Sequence, residues 1–364
     1  MLRYAIRRLL IAIPTLIVIS FVIFAVLDLA PNDPTGNLPL TIDAETRAKI
    51  REAMGLDEPF HIRYAAWLNQ FFINEPLNII EKSFDTCFGS TCQWEAVRVP
   101  RAEHWAGVEV HEVSDRLRIR SWGTRSEVVD LIVERAPQTL KVVGLAYVVA
   151  IMIALPIGIL SAIYQYSWFD QIGTFVSMVG FSVPTFFTGL VLIVVFSTMI
   201  PEDSMFWLPS VYDTTHEVTD WDSFVYQVRQ MAMPVAVLGL FNAAQISRYM
   251  RASMLENLNL DYVRTARAKG MKERVVILVH VLRNSLIPVV TVIAIGIPAT
   301  LAGAIITEQI FRINGIGALL ITGIQGADIP LVQTITFIFA VLIVFFNLIA
   351  DLIYGILDPR IRYD

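Results

Sequence analysis

No glycine in this 364-residue chain is followed by lysine, so there is no Walker A loop to cradle ATP phosphates. Neither G-x-S-x-G nor H-E-x-x-H occurs, which removes the usual signatures of a serine hydrolase and a zinc protease. Cysteine is nearly absent. Cys87 and Cys92 are the only two, and no second Cys/His pair with zinc spacing accompanies them, so no metal site is expected. Charge is scarce as well: 17% of residues are charged, against about 25% in an ordinary soluble domain. Inside the long apolar runs the carboxylates reduce to Asp28, Glu308 and Asp351, and the lysines to Lys141. All four fall near the end of a run, where a side chain can snorkel to water at low cost. A proton- or sodium-coupled carrier usually needs carboxylates near the membrane centre, and their absence weighs against that class.

What the chain has is apolar length. Hydrophobic residues make up 55%, and the charges cluster between the runs, as in a polytopic membrane protein. Six spans fit, at about 9–30, 138–163, 171–200, 232–253, 285–310 and 331–357. Arg3, Arg7 and Arg8 precede the run Leu9 to Leu27. That run exceeds the roughly 7–15 apolar residues of a signal peptide and lacks a small-residue cleavage site, so it reads as a retained first span. An even number of spans puts both termini on one side, and the terminal arginines, including Arg360 and Arg362, place that side in the cytoplasm. Residues 31–137 carry 12 Lys and Arg against 17 Asp and Glu, and residues 201–230 carry one Arg against six acids. Both stretches fall outside. Residues 248–284 reverse the balance, with eight basic residues against three acids. These basic residues flank spans, so the positive-inside rule accounts for them and nucleic acid does not.

The expected organisation is an N-terminus and first span (1–30), an extracytoplasmic segment (31–137), a five-helix core (138–357) and a cytoplasmic tail (358–364). In the outer segment Asp43 can cap a helix through Met54 that stops at Gly55. A second helix runs from Pro59 to Phe72. Val108 to Val113 and Leu117 to Arg120 then alternate with period two, which predicts short strands. The fold class is therefore an all-α polytopic membrane protein with six transmembrane helices. A small mixed α/β insertion, about 73–120, lies between its first two spans. Cys87 and Cys92 fall in that insertion, where a disulfide can persist. They either close the small loop Phe88 to Thr91 or remain two thiols. His104 and His111 read as solvated. Prolines interrupt the spans at Pro14, Pro156, Pro184, Pro234, Pro288 and Pro298, as static kinks or as hinges. Pro184 stands out, because Thr185, Phe186, Phe187 and Gly189 follow it. Those residues either line or gate a path, or pack against helices and lipid.

The basic stretch Asp261 to Pro288 is patterned beyond what anchoring needs. Leu260 to Lys269 reads as a short helix, with Asp261 matching the dipole at its start and Gly270 stopping it. Tyr262, Ala266 and Gly270 recur at i, i+4 and i+8, one face tapering from an aromatic to nothing. That face suits close docking. A second helix is expected from about Lys272 to Leu282, with Val276 and Val279 packing and Arg274 and Arg283 solvated.

Arg264-Thr-Ala-Arg-Ala-Lys-Gly270, then His280-Val-Leu-Arg-Asn284 and Ile287-Pro288, resemble the cytoplasmic loop of binding-protein-dependent ABC transporter permeases. The match is to the dipeptide, oligopeptide and nickel branch, with its MetI-like transmembrane domain. The general signature is E-A-A, three residues, Gly, about nine residues and I-x-L-P. Arg264 and Thr265 replace the Glu and first Ala, and Ala266 and Gly270 match. Of the last motif only Leu282 is kept, as in the peptide branch. Arg7-Arg8-Leu9-Leu10, Ile13-Pro14-Thr15, Phe181-Ser-Val-Pro184, Phe311-Arg-Ile-Asn-Gly-Ile-Gly317 and Leu357-Asp-Pro-Arg-Ile-Arg362 extend the likeness to nearly the whole chain except 73–120.

The resemblance implies a non-enzymatic permease subunit of an importer in the bacterial inner membrane, moving di- or oligopeptides. The same architecture also carries nickel chelates, opines or oligosaccharides. It implies a coupling helix in the loop 254–284, with Asp261, Ala266 and Gly270 docking and Tyr262, Arg264, Thr265, Arg267 and Lys269 around them. The implied partners are a homologous second permease, two ABC ATPase subunits holding ATP and Mg²⁺, a solute-binding protein and membrane lipid. No cofactor is expected on this chain. The competing class is a secondary carrier.

Overall fold

A computed structural model describes residues 2–29, 43–53, 56–84 and 118–357. Five of its helices are unbroken and apolar enough to cross a bilayer, and two further helix pairs qualify only as bent units. Helices α1 (Leu2–Asp28), α2 (Ala44–Ala53), α3 (Phe60–Asn69) and α4 (Glu75–Phe84) form the N-terminal part, with a π-helical stretch Gln70–Asn74 joining α3 to α4. Helices α5 (Val128–Ile163), α6 (Trp168–Ser182), α7 (Thr185–Ile193) and α8 (Trp221–Leu258) follow. Then come the short α9 (Asp261–Ala268) and α10 (Glu273–Val275), and α11 (Leu282–Phe311), α12 (Ile316–Gln325) and α13 (Ile329–Leu357).

The centre is α5 against α8, and small residues decide how close they come. Ala146, Ala150, Ala154 and Gly158 recur every fourth residue along α5, and the three alanines are fully or almost fully buried. A Cβ at Gly158 would lie 2.6 Å from Met250 Cβ and 2.7 Å from the Ser247 carbonyl oxygen, so only glycine fits there. Gly239 lies against the Ala146 carbonyl higher on the helix, where a Cβ would come to 3.4 Å, an ordinary contact distance. Membrane helices associate through such small-residue faces because lipid offers no hydrophobic drive between them. Pairing of 158 with 250 and of 146 with 239 makes α5 and α8 run parallel. Hydrogen bonds then hold α11 in place: Tyr147 Oη donates to Ile293 O at 2.7 Å, Thr300 Oγ1 to Asn242 Oδ1 at 2.9 Å, and Ser253 Oγ to Ser285 O at 2.9 Å.

Arg8 pairs with Asp351 at 3.2 Å, joining the start of α1 to the end of α13. These ends share one end of the bundle with α9. At the other end Asp328, 3% exposed, accepts from Trp122 N at 3.0 Å, Gly123 N at 3.1 Å and Ser121 Oγ, tying the approach to α5 onto the start of α13. Phe24 of α1, Trp67 of α3 and Phe337 of α13 form a small core nearby.

Several expectations change. The span expected over 171–200 is broken. Pro184 holds Val183 extended (φ −82°, ψ 126°) and caps α7, and the two halves meet at 101°. The other prolines, Pro14, Pro156, Pro234, Pro288 and Pro298, sit inside continuous helices. The expected second loop helix does not end at Leu282. It continues through α10 and the π-helical stretch Val276–Val281 into α11. Val276 is buried as expected, whereas Val279 is 54% exposed. Among the described residues there is no strand. The described part of the expected 117–120 strand makes only an isolated bridge, Arg120 to Glu127. The rest of the expected strands, the stop at Gly55, the Cys87–Cys92 pairing and the tail 358–364 lie outside the described residues. Asp43 does cap α2, accepting from Thr46 N at 3.3 Å.

Glu308 departs most from the snorkelling expected of it. It is 1% exposed. Thr139 Oγ1 donates to Glu308 Oε1 at 2.7 Å and Ala318 N to Oε2 at 2.9 Å, while Ile316 N donates to Thr139 Oγ1 at 2.8 Å. The carboxylate thus caps α12 after an 87° turn from α11. A Cβ on Gly315 would collide with Glu308 Oε1 and Thr139 Oγ1. Gly315→Ala should therefore lower the stability of the detergent-solubilised protein by about 2 kcal/mol, measured as a drop in its thermal unfolding midpoint.

Candidate functional site

The basic loop folds as a helix with two unlike faces. Leu260 caps α9 without a side-chain bond, so Asp261 is its first residue and lies fully in solvent, 3.6 Å from Arg264 Nη1. Gly270 ends the turn at φ +76°, a left-handed position that favours glycine, and its N–H returns to Arg267 O at 2.9 Å. Arg267 closes the loop from above: its Nη2 meets Glu273 Oε1 at 2.6 Å, and that pairing raises the guanidinium pKa.

The inner face is Val263 and Ala266, 0% and 7% exposed. They pack with Met250, Met254, Val276, Val281 and Val289, so α9, the end of α8 and the start of α11 share one core. Tyr262 is half-buried, and its hydroxyl meets Asn257 Oδ1 at 2.9 Å. The face expected to dock, Tyr262–Ala266–Gly270, is thus turned inward at Ala266. Helical periodicity marks a small-residue face, but whether that face points in or out depends on Val276 and Val281, ten and more residues further on. The outward surface is Asp261, Arg264, Thr265, Ala268 and Lys269, with Gly270 at the tip. Asn257 and Glu273 are the members that the sequence reading passed over. The signal for Glu273 was present, as the one acid among the cations after Gly270.

The residues singled out around Pro184 stay together. Pro184 occupies the α6–α7 break, Thr185 is half-buried, and Phe186 and Phe187 are 47% and 52% exposed. Gly189 seats α7 on Ile310 and Phe311 of α11. At the opposite end of the bundle from α9, a cavity of about 500 Å³ opens between α1, α3 and the start of α13. Among the described residues no cluster of His, Cys, Asp and Glu could hold a metal ion.

The family model described as "Binding-protein-dependent transport system inner membrane component" matches residues 154–363, and its N-terminal companion model matches residues 1–99. The oligopeptide transport system permease protein AppB of Bacillus subtilis is 35% identical over 364 residues, covering 100% of each chain. The dipeptide transport system permease protein DppB of Escherichia coli K12 is 32% identical over 379 residues, with 100% of this chain and 99% of that protein covered. The glutathione transport system permease protein GsiC of Salmonella typhi is 29% identical over 364 residues, again covering 100% of both. The chain belongs to this family of binding-protein-dependent transport system inner membrane components and is a multi-pass membrane protein. Residues 73–99 lie within the N-terminal family model, and AppB aligns along the whole chain. The N-terminal family model thus reaches into the stretch expected to be an insertion, as far as residue 99.

Ala266→Asp places a carboxylate among Val263, Val276 and Val281. It should destabilise the protein by about 3 kcal/mol, visible as a lower melting temperature of the isolated chain, with no ATPase subunit present.

Proposed function

We propose that this chain is the permease subunit of an ATP-driven importer that takes peptides from a solute-binding protein and passes them across the inner membrane. The end-to-end match to AppB carries the reading, and the peptide and dipeptide permeases among the other relatives support it. Counting α6 with α7 as one broken crossing and α12 as a half-helix gives six crossings. Both ends of the chain then lie in the cytoplasm with α9, following the arginines at the N-terminus and in the loop. A homologous second permease and two ATPase subunits complete the transporter, and ATP and Mg²⁺ are held by the ATPases. The outer surface of α7 would face the second permease or lipid, with Pro184 to Phe187 at the path between the two halves.

The geometry of α9 supports its role as the coupling helix. Its inner face is fused to the permease core, and its outer face offers a small hydroxyl and a methyl, Thr265 and Ala268, between Asp261, Arg264 and Lys269. A surface that is small at its centre and charged at its edge suits insertion into a cleft of a partner. Ala268→Arg keeps the chain folded, since the added side chain points to solvent. It should reduce co-purification of the ATPase subunits about tenfold. Full ATPase assembly and undiminished hydrolysis stimulated by the binding protein would overturn the docking assignment. Substrate class is tested separately, by titrating the binding protein with a peptide library. Binding of nickel chelates or oligosaccharides, with no peptide bound, would replace the peptide reading.

A further inference from the structure

Helix α6 is weakly embedded. Of its residues only Asp170 is buried, and Ile172, Phe175, Val176, Met178 and Val179 are exposed. Gly173 rests on Ser161 and Ile157 of α5, and the larger tie is one stripe of α8, spaced three or four residues apart. Phe241 stacks on Phe181 with centroids 5.8 Å apart, Ala244 lies beneath Gly180, and Ser247 Oγ is 3.1 Å from Ser177 Oγ. The Arg248 guanidinium sits 4.8 Å from the centre of the Phe181 ring. At the end nearest α9, Arg251 grips Asp170 with both prongs: Nε to Oδ1 at 2.6 Å and Nη2 to Oδ2 at 2.8 Å. Asp170 also accepts from Tyr166 N at 2.9 Å, and Thr174 Oγ1 lies 3.4 Å away. The pair thus holds both the turn before α6 and its first coil.

Arg251 lies seven residues before the end of α8, and only Asn259 and Leu260 separate α8 from α9. That link has no slack, because Tyr262 is bonded back to Asn257 and Val263 is buried against Met250 and Met254. At its other end α6 runs into the Pro184 break. A continuous path therefore joins α9, the end of α8, Arg251, Asp170, α6 and the break. Two-pronged Arg–carboxylate contacts are directional as well as strong, so they transmit rotation where a single contact would swivel.

We infer that the Asp170–Arg251 pair is the link that makes α6 follow α8, so that displacement of α9 reaches the Pro184 break. Asp170 and Arg251 are positioning residues in this scheme, and the inference rests on the reading of α9 as the coupling helix.

The test uses the assembled transporter with its ATPase subunits, in proteoliposomes. A Phe187→Cys reporter is labelled with a membrane-impermeant maleimide before and after trapping with ATP and vanadate. Each chain is measured against the same chain without the reporter, so that Cys87 and Cys92 cancel. Asp170→Asn and Arg251→Gln should retain the ATPase subunits and hydrolyse ATP, while the ATP-dependent change in labelling shrinks about tenfold. Arg251→Lys, which keeps the charge but loses the second prong, should fall between. Adding Ser177→Cys and Ser247→Cys to Asp170→Asn allows a disulfide to replace the ion pair. Oxidation should restore the labelling change and reductant should remove it again, which a merely structural role would not produce. An undiminished change in Asp170→Asn, or a disulfide that forms without restoring it, would overturn the inference. Failure of the coupling-helix reading shows separately, as ATPase subunits retained by Ala268→Arg.

Discussion

Close approach of α5 and α8 is the constraint on which the rest of the molecule depends. Helices in hydrocarbon gain nothing by hiding leucine from lipid, so their association needs backbone proximity and hydrogen bonds. The alanine stripe of α5, Gly158 and Gly239 supply the proximity. Once these two helices are fixed in parallel, α11 is held by groups from both: Tyr147 from α5, and Asn242 and Ser253 from α8. The loop helix then has a floor to sit on, because Met250, Met254 and Val276 are already in place. The loop helix and the long helices are therefore one packed body, without the flexible tether that a basic loop would otherwise suggest.

The two ends of the bundle use different chemistry. At the α9 end the buried contacts are mostly apolar, and the charges lie on the outer surface or pair across short distances, as Arg267 does with Glu273. At the far end buried carboxylates join turns through backbone N–H groups, whereas the buried Asp170 near α9 is gripped by the Arg251 guanidinium. Glu308 caps α12 and Asp328 gathers the approach to α5. Each meets backbone N–H groups, which would otherwise be unsatisfied where chain turns within or beside the bilayer. Glu75 extends this pattern outside the spans. It accepts from Ile119 N at 2.8 Å, and its burial pushes its pKa up.

What could be read from the sequence was what depends on neighbours in the chain. Gly270 had to stop a helix because a basic residue run preceded it and no β-carbon opposed a positive φ. Pro184 could be singled out because hydroxyl and aromatic residues gathered round a break. Five of the expected spans survive as long helices because their apolar length sets a lower bound that packing does not alter. The remainder depended on partners distant in sequence. Glu308 looked like a snorkelling end residue because Thr139 lies 169 positions away. Ala266 looked like a docking residue because the same small-residue spacing serves an inward or an outward face. Asp170 and Arg251 gave no signal, being 81 residues apart and ordinary for helix ends near a membrane surface.

Helix α8 contains 38 residues, which at 1.5 Å per residue is roughly 57 Å, against a hydrocarbon core of about 30 Å. It stands well clear of the apolar layer, with its C-terminal turns rooted beside α9 and its capped start at Asp220 among acidic residues. Such a rod converts angle into distance. A tilt of about 5° about one end displaces the other by about 5 Å over that length, comparable to the width of a peptide backbone. Because α5 is seated on α8 with no spare room at Gly158, such a tilt would carry the two helices together as one lever.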